Sequence, residues 1–179
     1  TAPLVLFSAP AGSGKTTTLY ATLLEIISTG KNVTTVEDPV EYVFPGINQI
    51  QTNEQAGLTF ATGLKAILRQ DPDVILVGEM RDSETVKAAL AAAETGHFVM
   101  STLHTTDAAE TVNRIIDFFP PHEQKQIRMT LSESLRGILC QRLVPRSDGY
   151  GRCVTMEVLV NTGRIADAIA DPEKTGTIT

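Results

Sequence analysis

The chain has 179 residues, 42% of them hydrophobic and 20% charged, which suits one globular domain and excludes a disordered chain. The net charge of −6 argues against a basic duplex-binding face, so nucleic acid is not expected as a partner. No apolar run approaches the roughly 20 residues of a bilayer-spanning helix, so no transmembrane segment is expected.

Residues 4–8 are a short apolar run of strand formers. A Gly-rich turn follows, then residues 15–28 with Leu19, Leu23, Ile26 and Ile27 at helical spacing, ended by Gly30. Residues 33–36 predict a second strand. Residues 40–53 are mixed, with Pro45-Gly46 as a turn and Ile47, Gln49 and Gln51 on one strand face. Residues 59–69 predict a helix with Phe60, Leu64, Ile67 and Leu68 on one side, broken by Asp71-Pro72-Asp73. Residues 74–77 form the continuous apolar run of a strand buried on both faces.

Residues 82–94 predict an Ala-rich helix capped by Asp82 or Ser83. A strand over 97–101 and a helix over 107–118 follow. Pro120-Pro121 separates these from a long helix over 122–143, on which Ile127, Leu131, Leu135, Ile138 and Leu139 step by threes and fours. A strand over 154–160 and a helix over 162–170 complete the chain. Strands alternating with helices predict a single α/β domain over residues 1–179, its mostly parallel sheet flanked by helices in three layers.

Cys140 and Cys153 are the two cysteines, and neither lies in a C-x-x-C pair. They read as two buried thiols in a reducing cytoplasm. Residues 1–7 lack the basic region of a signal peptide, and residues 175–179 stop without a capping element. Both ends read as cuts in a longer protein.

Ala9-Pro10-Ala11-Gly12-Ser13-Gly14-Lys15-Thr16 lies between the first strand and the first helix, the context of a Walker A loop. Gly12 and Gly14 let successive backbone N–H groups, that of Ser13 among them, converge on phosphate oxygens. The helix N-terminus, with Lys15, Thr16 and Thr17, points at the same place. Lys15 reaches the β- and γ-phosphates of ATP, and the Thr16 hydroxyl binds Mg²⁺. Ala9 stands where the first glycine of the pattern belongs. Pro10 biases that residue toward extended geometry, where alanine is unstrained, so a working loop is expected.

Val74-Ile75-Leu76-Val77-Gly78-Glu79 resembles a Walker B strand with glycine where aspartate is usual. Glu79 then stands at the carboxyl end of a strand, where open α/β sheets place ligands, and can activate the attacking water. Glu37, Asp38 and Glu41 follow the second strand and either support Mg²⁺ through water or form a solvated loop. His97 opens a strand and His104 lies just past its end. No cysteine or second histidine at ligand spacing suggests zinc.

Together these stretches resemble the secretion-superfamily ATPases of type IV pili and type II secretion. The match comprises the Walker A loop, Thr35 to Glu41 as the Asp box, Leu68 to Asp82 around the atypical Walker B, and Thr95 to Thr105 as the His box. The resemblance implies a RecA-like P-loop NTPase core that hydrolyses ATP with Mg²⁺. It implies Glu79 as hydrolytic glutamate, His104 as γ-phosphate sensor, and Glu37 and Glu41 around Mg²⁺ and water. Arg81 and His97 join the candidate residues. It further implies a homo-hexamer in the full-length protein, cytoplasmic and peripheral at the inner membrane, acting on a pilus platform protein.

Within that family the short 145–151 turn, free of the tetracysteine insertion, points to the PilT-like retraction branch. So do Phe118-Phe119-Pro120-Pro121 and the segment 129–135. The retraction signature would fall at 164–171, where both of its arginines are missing. Residues 40–49 look more like the secretion branch. Retraction motor, assembly or secretion ATPase, nucleotide-binding regulator without motor work, and DNA translocase are the readings this leaves, the last disfavoured by charge.

Overall fold

In the computed structural model, which describes residues 3–178, β1 (Leu4–Ser8) is an interior strand of a seven-stranded sheet. The order is β3 (Ile47–Gln51), β2 (Val33–Glu37), β4 (Val74–Val77), β5 (Phe98–Leu103), β1, β6 (Leu135–Pro145), β7 (Arg152–Val160). Every neighbouring pair is parallel except β6 with β7. The expected α/β class with a mostly parallel sheet is what the chain adopts.

Alternation along each strand sorts the core. Phe7, Val33, Val74, Leu76 and Met100 face α1 (Lys15–Ile27), which covers one side through Leu19, Tyr20 and Leu23. Leu4, Leu6, Ile75, Val77 and Val99 face the other side. There the cover is α2 (Phe60–Ile67), α3 (Ser83–Glu94), α4 (Ala108–Asp117), α5 (Pro121–Ser134) and α6 (Gly163–Ala170). Each fully buried leucine or isoleucine contributes ~1.5–3 kcal/mol. Asp82 caps α3 by accepting from Thr85 N at 2.8 Å, and Asp107 caps α4 by accepting from Glu110 N at 2.8 Å.

The long helix expected over 122–143 is corrected. Helix α5 stops at Ser134, and Leu135 turns extended (φ −67°, ψ 134°) to begin β6. The spacing of Leu135, Ile138 and Leu139 fits a helix face, but those residues pair with β1 in register Leu6↔Ile138 and Phe7↔Leu139. Satisfying the backbone along β1 outweighs a local periodicity that fits both structures. Asn161 seals the helix end by donating to the Ser132 and Leu135 carbonyls, both at 2.8 Å. At Gly137 a Cβ would stand 2.7 Å from the Leu159 carbonyl oxygen, so the hairpin approaches too closely there for any side chain.

One smaller expectation also changes. Cys140 is buried on β6, but Cys153 is exposed on the edge strand β7, because β7 has no outer neighbour among the described residues. Residues Thr175–Thr177 form a 3₁₀ turn in which Thr175 Oγ1 accepts from the buried Arg128 at 2.9 Å, and Ile178 is buried. Residues 1, 2 and 179 of the two end readings lie outside the described residues.

Two outcomes follow for the hairpin. Gly137→Ala should lower stability by about 1–3 kcal/mol in a urea titration, since the added carbon collides with backbone; an unchanged midpoint would show that β6 and β7 can part. Iodoacetamide on the native protein at pH 8 should modify Cys153 and spare Cys140, whose thiol burial pushes up to about 11. Peptide mass spectrometry reads the two sites separately.

Candidate active site

β1 ends at Ser8, and the chain turns through residues 9–14 into α1. Gly12 (φ 73°) and Gly14 (φ 82°) both take left-handed geometry that a side chain resists. Ala9 keeps a negative φ, is buried, and donates its N–H to the Leu103 carbonyl at 3.3 Å. Alanine therefore fits where the pattern has glycine. Ser13 Oγ donates to the Pro10 carbonyl at 2.7 Å and closes the turn. The loop lines a cleft of about 500 Å³ whose other walls include Glu37, Glu41, Glu79 and His104.

Lys15 Nζ donates to the Leu103 carbonyl at 3.1 Å and lies 3.3 Å from His104 Nδ1. Burial holds its pKa below the usual lysine value, and the Glu79 carboxylate opposes that fall. His104 Nε2 lies 3.4 Å from Glu79 Oε1. Glu79 Oε2 accepts from Arg81 Nε at 2.8 Å, and Arg81 Nη1 reaches Asp38 Oδ2 at 3.1 Å. Five charged or titratable side chains thus form one line across the cleft. Glu79 comes first among the causes that raise the Arg81 pKa, through its hydrogen bond.

Gly78 has a steric cause. A Cβ there would lie 3.1 Å from the Val36 carbonyl oxygen, 3.3 Å from Glu37 Cα and 3.3 Å from the Phe60 ring. An aspartate would need β2 or Phe60 to give by a few tenths of an ångström. On β2, buried Glu37 accepts from Tyr20, from Thr35 at 2.5 Å and from Gln49 at 3.2 Å. Burial and the Glu37 contact push the Tyr20 phenol well above its ordinary pKa. Thr16 Oγ1 donates to Glu41 Oε1 at 3.4 Å. No group of three or more His, Cys, Asp or Glu with metal-binding geometry occurs among the described residues.

The structure therefore gathers Gly12, Ser13, Gly14, Lys15, Thr16, Glu37, Asp38, Glu41, Glu79 and His104 around one cleft, with Arg81 bridging two of them. Thr17 is exposed and does not line it. His97 lies at the opposite end of β5 from His104, ~20 Å away at the usual rise of ~3.3 Å per residue. Its Nδ1 lies 3.0 Å from both the Ala92 carbonyl and Thr95 Oγ1. It borders a second hollow of about 630 Å³, with neither the glycine loop nor Glu79. Two residues escaped the sequence reading. Tyr20 is not among the positions that the spacing marks on α1, although a buried phenol needs an acceptor. Gln141 lay within the misread helix, and on β6 it contacts Ser13 and Thr18 from beneath the loop.

The family model described as "Type II/IV secretion system protein" matches residues 2–174. A twitching motility protein of Neisseria gonorrhoeae is 47% identical over 173 residues, covering 94% of this chain and 46% of that protein. The type IV pilus assembly ATPase PilB of Thermus thermophilus is 52% identical over 143 residues, covering 80% of this chain and 15% of that protein. The crystal structure of the pilus retraction motor PilT with bound ADP superposes with a TM-score of 0.86 at 46% identity, covering 97% of this chain and 52% of that one. The chain thus spans about half the length, or less, of the relatives it matches. The fold, the order of the motifs and a match over nearly the whole chain agree, and the chain belongs to the type II/IV secretion system protein family.

Proposed function

We propose that this chain is the ATP-hydrolysing motor domain of a type IV pilus retraction ATPase. The single observation that carries the chemistry is the line Lys15–His104–Glu79 across the mouth of a glycine-rich loop. Lys15 and the loop N–H groups hold the phosphates. Glu79 takes the proton of the attacking water, and His104, between Glu79 and Lys15, senses the γ-phosphate. The negative phosphates offset the burial that now weakens the Lys15 charge.

The donors at the cleft suit Mg²⁺, a hard cation that keeps several waters and prefers oxygen ligands. Thr16 Oγ1 would be the direct protein ligand, and Glu37 and Glu41 would act through water. Asp38 is already engaged by Arg81. The chemistry Mg²⁺ would supply there is neutralisation of charge on the β- and γ-phosphates.

Retraction is favoured because the β6–β7 turn is a tight loop closed by Arg146 N to the Gly151 carbonyl at 3.2 Å, with no cysteine in it. The match to the twitching motility protein also runs over 94% of the chain, against 80% for the assembly ATPase. The higher identity to the latter, 52% against 47%, favours the second reading, an assembly or secretion ATPase. In either case we read the full-length protein as a ring of six copies at the cytoplasmic face of the inner membrane, working on a platform protein. No described helix is long and apolar enough to cross a membrane. A nucleotide-binding regulator would bind ATP at the same loop without needing Glu79.

Three substitutions test the assignment. Lys15→Ala removes a charge-assisted contact worth roughly 1.5–3 kcal/mol and should weaken ADP and ATP at least about tenfold by calorimetry; wild-type affinity would sink the loop assignment. Glu79→Gln should bind ATP·Mg²⁺ nearly as wild type and release phosphate about 10²–10⁴-fold more slowly. Unchanged turnover would move the base to another carboxylate, Glu37 first. His104→Ala should lower kcat more than nucleotide affinity, because its contact strengthens toward the transition state. An equal loss of ATP and ADP affinity at constant kcat would make it structural.

A further inference from the structure

We propose that Gln141 positions the phosphate-binding loop, acting through the Ser13 carbonyl to aim the Gly14 N–H into the cleft. The inference rests on reading residues 9–16 as a phosphate site.

Gln141 is 6% exposed, on β6 between β1 and β7. Both ends of its amide are used. Nε2 donates to the Ser13 carbonyl at 2.6 Å, and Oε1 accepts from Thr18 Oγ1 at 2.7 Å. A carbonyl can only accept, so the bond to Ser13 fixes which end of the amide faces the loop. The alternative flip would set two oxygens against each other in a buried place.

The peptide joining Ser13 to Gly14 is planar and trans, so its C=O and N–H point in opposite directions. Holding the Ser13 oxygen toward β6 turns the Gly14 N–H away from β6, toward the cleft that Gly14 lines. Gly14 is the N-cap of α1, where helix N–H groups lack partners within the helix. Its backbone packs directly on the amide, and a Cβ at Gly14 would lie 3.2 Å from Gln141 Nε2. The second bond, to Thr18, reaches the first turn of α1, where Thr18 N in turn donates to the Gly14 carbonyl at 3.1 Å. One side chain thus ties loop and helix start to the sheet. Gln141 does not line the cleft, so it is a positioning residue.

The experiment is ADP titration by calorimetry of this chain and its variants, with ¹H–¹⁵N spectra of glycine-labelled protein. Gln141→Glu keeps the size and the acceptor for Thr18 but cannot donate to the Ser13 carbonyl. Gln141→Leu removes both bonds. Both should weaken ADP about tenfold or more, the effect of losing roughly one net hydrogen bond. Thr18→Val, which leaves the Ser13 bond in place, should stay within about threefold of wild type. In wild-type protein ADP should move the Gly14 amide proton strongly downfield, and in Gln141→Glu that shift should collapse.

Wild-type affinity in Gln141→Glu, or an equal loss in Thr18→Val, overturns the proposal. A Gly14 amide that ADP leaves unmoved in wild-type protein overturns it without any variant, even if Gln141→Leu does not fold. Lys15→Ala separates the two levels. If it binds ADP normally, the phosphate reading itself fails, and this inference with it. If it loses ADP while Gln141→Glu does not, only the inference fails.

Discussion

Ser8, the last residue of β1, lies opposite Leu103 of β5 and Cys140 of β6, and that pairing decides what shares the rim of the sheet. Its fully buried hydroxyl donates to the Thr105 carbonyl at 2.7 Å and accepts from Thr105 N at 2.9 Å. The loop that carries His104 is thereby clasped to the strand that feeds the glycine loop. Thr105 Oγ1 continues the contact to Thr111 Oγ1 of α4 at 2.7 Å. A slip of β1 by one residue would turn Ser8 away and bring a different side chain under the loop. The distances among Lys15, His104 and Glu79 all depend on this register.

The charges above the rim do a different job from the core below it. The pairs Glu79–Arg81 and Arg81–Asp38 are partly exposed, and such pairs add only ~0–1 kcal/mol each. Their consequence is orientation. Arg81 engages one oxygen of Glu79 and leaves the other facing His104. Its planar fork spans two carboxylates, Glu79 through Nε and Asp38 through Nη1, which a lysine ammonium on one stem does not reproduce. The buried partner is Glu37, whose three donors satisfy it without a cation.

The β6–β7 hairpin reaches the site from the other flank. Gln141 contacts the glycine loop, while its neighbour Arg142 donates to the Thr106 carbonyl at 2.8 Å, two residues past His104. Glu157 on β7 accepts from Ala108 N at 3.2 Å, at the start of α4. Both walls of the cleft are thus tied to one antiparallel pair at the edge of an otherwise parallel sheet. A displacement of that hairpin would move the glycine loop and the histidine loop together.

The sequence by itself determined the glycine loop, the four ordered motifs and the alternation of strands with helices. Those signals are local: φ > 0 glycines before Lys15, a four-residue apolar strand two residues before Glu79, and caps at Asp82 and Asp107 each act within a few residues. It also sufficed for Ala9, because the fit of alanine depends on its own backbone geometry. It did not determine residues 135–145, since Leu135, Ile138 and Leu139 satisfy a helical and an extended spacing alike. Only the open flank of β1 made them a strand, and only that strand placed Gln141 under the loop. The same holds for Gly78, whose missing side chain answers to the backbone of β2, and for His97 and His104, which one strand sends to opposite ends of the sheet. Periodicity reports what a segment can bury, whereas partners far apart in sequence decide which backbone groups it must pair with.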